Sequence, residues 1–202
     1  AAGIIGYSVG DVTITNVTNR NNITGSTSTG GIVGYAKTGM LTIVNGKNYG
    51  EISHHNSASE VDGVGGIVGY ADKLTLRNCQ NNGVIYVFNN KTLYTNIADP
   101  VKTEICVGGL VGKVKDGVYV EENSNKGNIT INSNAHTLKV GGVIGSSLNN
   151  SKVVRDLKNY ADLKVNSNNI YSALESNSEY AFMMIGGVVG DLQNNLTLCG
   201  NE

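Results

Sequence analysis

The 202-residue sequence has no Trp, one Pro, two Phe and three Cys, and only 15% of its residues are charged. The cysteines Cys79, Cys106 and Cys199 are too few for a disulfide framework and lack the Cys-x-x-Cys spacing of a metal site, so we expect no metal. They allow either one disulfide with one free thiol or three buried thiols, and the packing of cysteine as a small apolar group favours the thiols. No apolar run reaches the ~18 residues of a membrane-spanning helix. Nothing in the pattern indicates a cofactor.

The charges are balanced, with 15 basic and 16 acidic residues. This balance excludes the basic surface typical of a nucleic-acid-binding domain. The chain nevertheless has 40% hydrophobic residues and 27 Gly, and Asn is abundant. Such a composition predicts an ordered core built from short strands and many turns.

A short motif, Gly-Gly-aliphatic-aliphatic-Gly, recurs along the whole chain, and internal repetition of this kind indicates a repeat architecture. One further copy has Ala2 in place of the first glycine. The copies are Ala2–Gly6, Gly30–Gly34, Gly65–Gly69, Gly108–Gly112, Gly141–Gly145 and Gly186–Gly190.

A second motif follows each copy: aliphatic-x-aliphatic, a turn, and then Asn-x-Gly-x-Ile. Aligning the chain on this asparagine produces three columns. They are Asn19, Asn48, Asn81, Asn125 and Asn159; Ile14, Ile43, Leu76, Val120 and Val154; and Ile23, Ile52, Ile85, Ile129 and Leu163.

These columns predict an all-β fold, a right-handed parallel β-helix of about five to six coils formed by residues 1–202 as a single domain. Each repeat offers three short half-buried segments, and stacked coils place identical residues above one another. The asparagine column would then form an internal ladder. A propeller blade needs about 40–50 residues, more than the distance from Gly3 to Gly31 allows.

The motifs at 30–35, 65–70 and 108–112, each followed by Asn-x-Gly-x-Ile, resemble GLUG-type repeats. These repeats occur in large secreted and surface-attached bacterial proteins, so the resemblance implies an extracellular or cell-surface location and a structural or adhesive role, with no catalytic residue. The fifth repeat departs from the pattern because Ala161 replaces the glycine, which puts that turn in doubt. The last copy stops at Leu198-Cys199-Gly200. We therefore expect a piece of a longer surface protein whose neighbouring domains cover its ends.

Two charged columns precede the ladder asparagine. Stacking would place Glu121 between Arg77 and Arg155 in a salt-bridge ladder. It would also place Glu122 beside Asp156, about 5 Å apart, which is near the carboxylate separation of retaining glycosidases. Two solvated acids at a corner are the competing interpretation. The histidines His54, His55 and His136 fall in or just after the third segment and are expected to be exposed loop residues.

Aromatic residues are the candidate binding residues. Tyr7, Tyr35 and Tyr70 occupy one column, which would form either a sugar platform or a packing stripe. Two long insertions, about 86–107 and 164–185, would form a lip or groove, or extend strands over the core. Their aromatic members are Tyr86, Phe88, Tyr94, Tyr171, Tyr180 and Phe182.

The sequence thus predicts a non-enzymatic, extracellular structural or adhesive module whose binding edge faces glycans or host surface proteins. One alternative is a polysaccharide-active hydrolase or lyase that uses Glu122 and Asp156. The other is a stalk that binds no ligand.

Overall fold

The computed structural model describes residues 1–55, 61–89, 104–133, 135, 137–167, 182–193 and 196–199. Within this part of the chain, every regular element is a β-strand, and the strands form four parallel sheets. The predicted all-β parallel solenoid is confirmed. The right hand of the coil and the number of coils stay predictions.

The first sheet follows the Gly-Gly motif. Its strands are β1 (Ile5–Val9), β2 (Val12–Thr15), β6 (Val33–Val44), β10 (Val68–Arg77), β14 (Val111–Glu121), β18 (Ile144–Arg155), β22 (Val189–Leu192) and β23 (Leu196–Cys199). The second sheet holds the asparagine column in two-residue strands. They are β3 (Thr18–Asn19), β7 (Lys47–Asn48), β11 (Gln80–Asn81), β15 (Ser124–Asn125) and β19 (Lys158–Asn159).

The third sheet carries the isoleucine column. Its strands are β4 (Ile23–Gly25), β8 (Ile52–His55), β12 (Ile85–Asn89), β16 (Ile129–Ser133) and β20 (Leu163–Ser167). The fourth sheet leads into the next Gly-Gly motif. Its strands are β5 (Thr29–Gly30), β9 (Val61–Gly65), β13 (Glu104–Gly108), β17 (Thr137–Gly141) and β21 (Phe182–Gly186).

Each repeat therefore uses four sheets, and the prediction of three short segments was wrong in detail. The segment that contains Tyr35 and the segment that contains Leu41 belong to one long strand, β6. This strand bends at Thr38 and Gly39, where the backbone φ angles are positive. A strand before the Gly-Gly motif was missed. It follows connections of unequal length, so alignment on the asparagine did not reach it.

Two apolar clusters fill the interior. The first lies beneath the first sheet and contains the column of Ile43, Leu76, Val120 and Val154. The second lies between the third and fourth sheets, where Ile52, Ile85 and Ile129 meet Val64, Val107 and Val140. Each fully buried aliphatic side chain contributes about 1.5–3 kcal/mol, so these columns are a main source of stability.

The fourth sheet packs directly against the start of the first sheet. A Cβ built on Gly69 would lie 2.7 Å from the Thr29 amide nitrogen, and one on Gly112 would lie 2.2 Å from that of Val64. No side chain fits there, which explains why the third glycine of the motif recurs: it permits close approach of two backbones.

Connection length distinguishes the corners. In every complete repeat, the connection from the fourth sheet to the first has two residues, and so has the connection from the first sheet to the second. The connection from the second sheet to the third has three residues. The connection from the third sheet to the fourth varies from three residues, as between Ser133 and Thr137, to fourteen, as between Asn89 and Glu104. All variation in repeat length is thus confined to one corner and to the bends of the first-sheet strands.

Candidate functional site

The five column asparagines stack in register and form a continuous ladder. Nδ2 of each of the first four donates to Oδ1 of the next at 2.8, 2.9, 3.0 and 3.2 Å. Each amide also bonds the backbone two residues ahead, as between Asn48 Nδ2 and Gly50 O at 2.8 Å. Asn48, Asn81 and Asn125 are fully buried. The ladder satisfies the turn groups internally and offers no group to a ligand.

The fifth turn keeps this arrangement despite Ala161. Asn159 Nδ2 donates to Ala161 O at 3.3 Å, and the Ala161 amide donates back to Oδ1 at 3.3 Å. A Cβ at the equivalent Gly83 or Gly127 would lie 1.9 Å from a carbonyl oxygen of the preceding coil. The extra methyl group of Ala161 is thus accompanied by longer hydrogen bonds at the end of the ladder.

A second column, which we call the edge column, runs along the first sheet. It begins with three tyrosines and ends with three polar residues. In order the members are Tyr7, Tyr35, Tyr70, Lys113, Ser146 and Asp191, and all are paired in register.

The tyrosine rings pack edge to face. The Tyr7 and Tyr35 centroids are 5.5 Å apart with planes at 77°, and those of Tyr35 and Tyr70 are 4.7 Å apart at 75°. Only Tyr7 is more than half exposed, at 56%. Alternating ring planes do not form the flat platform that a stacked sugar needs, so this geometry favours packing.

The polar half of the edge column belongs to an ion cluster made by Glu104, Lys113, Lys139 and Asp191. Lys113 Nζ lies 2.6 Å from Glu104 Oε1, and Lys139 Nζ lies 2.9 Å from Glu104 Oε2 and 2.8 Å from Asp191 Oδ2. Ser146 Oγ and Gln193 Nε2 each donate to Asp191 Oδ2 at 3.2 Å. Both lysines and Asp191 are buried.

Burial and pairing oppose each other in this cluster. Burial alone would raise the pKa of the Glu104 carboxyl, but hydrogen bonds from Lys113 and Lys139 outweigh it and lower the pKa. Burial alone would lower the pKa of Lys139, but Asp191 and Glu104 raise it. The Cys106 thiol, 3.4 Å from Glu104 Oε1, is fully buried, and desolvation raises its pKa. Cys106 is therefore an inert thiol.

Glu104 and Lys139 escaped the sequence analysis. They precede the Gly-Gly motif by four and two residues in strands that follow the connections of varying length. The available signal was a charged residue beside buried aliphatics, as in Leu138-Lys139-Val140. Aligning backwards from the glycines would have placed Glu104 with Thr137 and Lys139 with Cys106, in the strand that leads into the Gly-Gly motif.

Two insertion aromatics, Tyr86 and Phe88, form an aromatic pair on the outer face of the third sheet. Both are 43% exposed. Tyr86 is paired with Ser53 and Thr130 on the neighbouring strands, and Phe88 is paired with His55 and Asn132. The register of these strands shows no bulge, so the pair lies on a regular β-surface.

Other predicted aromatics are not described. Tyr94, Tyr171 and Tyr180 lie outside the described residues, and Phe182 begins β21 with its side chain outside the described part. The predicted lip or groove between the insertions therefore stays a prediction.

The corner acids line a surface depression. Glu122 and Asp156, both exposed and both with positive φ, line it together with Gln80, Asn123, Ser124, Lys126, Lys158 and Tyr160. Its volume is about 790 Å³. The neighbouring residue Glu121 accepts a hydrogen bond from the Tyr119 hydroxyl. Its carboxylate also forms ion pairs with Arg155 and with Arg77, whose Nε lies 3.3 Å from Glu121 Oε2. The predicted alternation of charge in that column is present.

His54 and His55 lie in β8, the third strand of their repeat, and His55 is exposed as expected; the prediction of exposure was wrong for His54, and His136 is outside the described residues. His54 is fully buried, and its Nδ1 lies 3.1 Å from Thr29 Oγ1. Burial chiefly lowers its pKa from 6.5 to about 4. It occupies a core column with Val87 and Ile131, so the alternation of β8 turns it inward.

Among the described residues, Cys79 and Cys106 are free and buried, and no group of three His, Cys, Asp or Glu side chains could hold a metal ion. None of the described elements is a helix that could span a membrane. Comparison with family models, curated proteins and solved structures finds no match. The resemblance to GLUG-type repeats stays a prediction.

Proposed function

We propose that this chain is an extracellular structural and adhesive module that binds glycans on the outer face of its third sheet. The observation that carries this proposal is the aromatic pair, Tyr86 and Phe88, exposed side by side on a regular β-surface. Neither side chain belongs to the two apolar clusters of the interior, and adjacent exposed aromatic residues are typical of an interaction site.

The surroundings of the pair fit a sugar. Ser53, Thr130 and Asn132 supply hydroxyl and amide groups on the adjacent strands, and Asn166 Nδ2 donates to Asn132 Oδ1 at 2.9 Å one strand further. An aromatic face with neutral hydrogen-bonding groups around it recognises the mixed apolar and hydroxylated surface of a glycan. The parallel scaffold holds these groups without ordering cost on binding.

The test is a binding screen of the chain against glycans and matrix proteins, followed by substitutions taken from its own columns. Tyr86→Thr copies Thr130 and Phe88→Asn copies Asn132, so both keep the strand. The double variant should bind the selected glycan about tenfold more weakly or worse. Tyr49→Asn is the matched control, since Tyr49 is 45% exposed on another side, and it should bind normally.

Two results would decide against this site. Equal binding by the double variant and the parent would locate adhesion elsewhere on the chain. A folded chain that binds no glycan and no matrix protein would support the alternative of a stalk that binds no ligand. Selective binding of a matrix protein that is lost in the double variant would make the partner a host protein.

A second candidate function, a polysaccharide-active hydrolase or lyase, is supported by one observation: Glu122 and Asp156 share a depression with Tyr160. Against it, both acids are exposed, whereas the acid of a glycosidase is held protonated by apolar surroundings. Release of reducing ends from a polysaccharide panel, abolished in Glu122→Gln and retained in Tyr86→Thr, would establish the enzyme.

A further inference from the structure

The ion cluster contains an unusual contact: one buried amine lies between two carboxylates. Lys139 Nζ is 2.9 Å from Glu104 Oε2 and 2.8 Å from Asp191 Oδ2, and the side chains of Lys139, Glu104 and Asp191 are 6%, 20% and 10% exposed. The three residues come from three strands, β17, β13 and β22. Their proximity is therefore fixed by strand register and does not depend on a flexible loop.

Strand pairing fixes the backbone position of all three residues. Lys139 is paired with Cys106, Glu104 with Thr137, and Asp191 with Ser146. Well-oriented groups held at contact distance reach effective molarities of up to about 10⁵–10⁸ M. An amine and a carboxyl group held in this way are the reactants of an amide bond.

The two carboxylates have different surroundings, which assigns them different roles. Glu104 is shared by two lysines through its two oxygens, so it is suited to exchanging protons with an amine. Asp191 Oδ2 receives hydrogen bonds from Ser146 Oγ and Gln193 Nε2 as well as from Lys139. Donors directed at a carboxyl oxygen stabilise the negative charge that develops there when a nucleophile attacks the carbon.

We propose that Lys139 and Asp191 condense autocatalytically to an isopeptide bond, with Glu104 as the proton shuttle. Pairing holds the charged forms in the resting cluster, so the reactive state is the neutral pair of Lys139 and Asp191. It forms when one proton passes from the Lys139 ammonium to Asp191 Oδ2, 2.8 Å away, and this transfer removes two buried charges. The Nζ lone pair then attacks Asp191 Cγ. Glu104 takes a second proton from nitrogen and gives it to the departing hydroxyl group, the C–O bond breaks, and water leaves.

The reaction balances without a co-reactant. One ammonium and one carboxylate give one amide and one water molecule, and Glu104 ends as it began. The bond would join β17 of the fourth sheet to β22 of the first. It is independent of ligand binding, so its failure and that of the glycan proposal are distinguishable.

The test is the mass of the intact, denatured full chain, followed by peptide mapping. The expected mass is that of the sequence less one water molecule, and digestion should release one branched peptide that joins Lys139 to Asp191. Glu104→Gln keeps the shape but cannot shuttle protons, and Lys139→Arg keeps the positive charge but removes the nucleophilic amine. Both should show their full sequence mass.

Asp162→Asn is the matched control, because it alters an exposed acid, and it should remain one water molecule lighter. Should Glu104→Gln fail to fold by circular dichroism, Lys139→Arg and Asp191→Ala supply the same comparison. A parent chain with the full sequence mass would overturn the proposal. So would loss of water mapped to other residues, or a branched peptide that persists in Glu104→Gln.

Discussion

The two halves of the edge column share one backbone register but differ in chemistry. Tyr7, Tyr35 and Tyr70 stack at one end, partly in solvent, whereas Lys113 and Asp191 at the other end are buried among opposite charges. The difference follows from the fourth sheet, where Gly63 in the tyrosine half is succeeded by Cys106 and Lys139. The same strand register therefore gives an aromatic surface where the fourth sheet has Gly63 and a buried ion cluster where it has Lys139.

Acid should separate the two halves most strongly. In the repeat that carries Tyr35, His54 of β8 is buried and its pKa falls from 6.5 to about 4, chiefly through desolvation, with smaller contributions from His55 and the N-terminal amine. The unfolded chain therefore binds more protons between these values, and stability falls as pH drops from about 6.5 to 4. The loss should reach about 3 kcal/mol.

Urea unfolding at several pH values, with His54→Val as the control, measures this effect. Valine copies Val87 in the same column, so the variant should lose that part of the acid sensitivity. The lowered pKa of Glu104 keeps the ion cluster charged until lower pH, at which its contribution is lost as the carboxylate takes up a proton. Identical pH profiles for parent and variant would contradict the assignment.

In the ionic half, Lys113→Met should cost about 2–3 kcal/mol. Methionine keeps the apolar stem but removes the amine that lies 2.6 Å from Glu104 Oε1. Equilibrium unfolding in urea gives the value. Lys115→Met, an exposed lysine on the same strand, should change stability by less than about 0.5 kcal/mol, and equal effects at the two positions would refute burial as the cause.

The asparagine ladder is the reference that both halves share. Asn48→Ala and Asn125→Ala each remove a fully buried amide that bonds the next asparagine and its own turn. Each should cost about 2 kcal/mol, because partners are left unsatisfied. Similar losses of unfolding free energy in urea would show that the two halves differ only at the edge column. Very unequal losses would show that the asparagine ladder itself differs in strength between the halves.

The smallest effect is expected within the tyrosines. A double-mutant cycle with Tyr35→Leu and Tyr70→Leu should give a coupling of about 1 kcal/mol, the usual value for an edge-to-face pair. The Tyr7–Tyr35 cycle should give less, since its rings are farther apart at 5.5 Å and Tyr7 is more exposed. Zero coupling in both cycles would mean that the rings only share a surface.

Sequence reasoning was strongest wherever spacing was constant. The asparagine and isoleucine columns, and Glu121 between Arg77 and Arg155, follow from corners of fixed length. Glu104 and Lys139 follow a connection of varying length, so nothing in the alignment linked them to Lys113 and Asp191. The inward orientation of His54 was also missed, because a histidine in a polar segment resembles a loop residue until the strand's alternation is known.

The corner between the third and fourth sheets has a consequence for how such a chain changes. Three corners have fixed lengths, and at one of them a carbonyl oxygen would lie 1.9 Å from a Cβ added to Gly83. Insertions there would break the stack. The fourth corner already accepts between three and fourteen residues, so new segments can be grafted at that point in any repeat, and diversity can accumulate while the coil beneath stays the same.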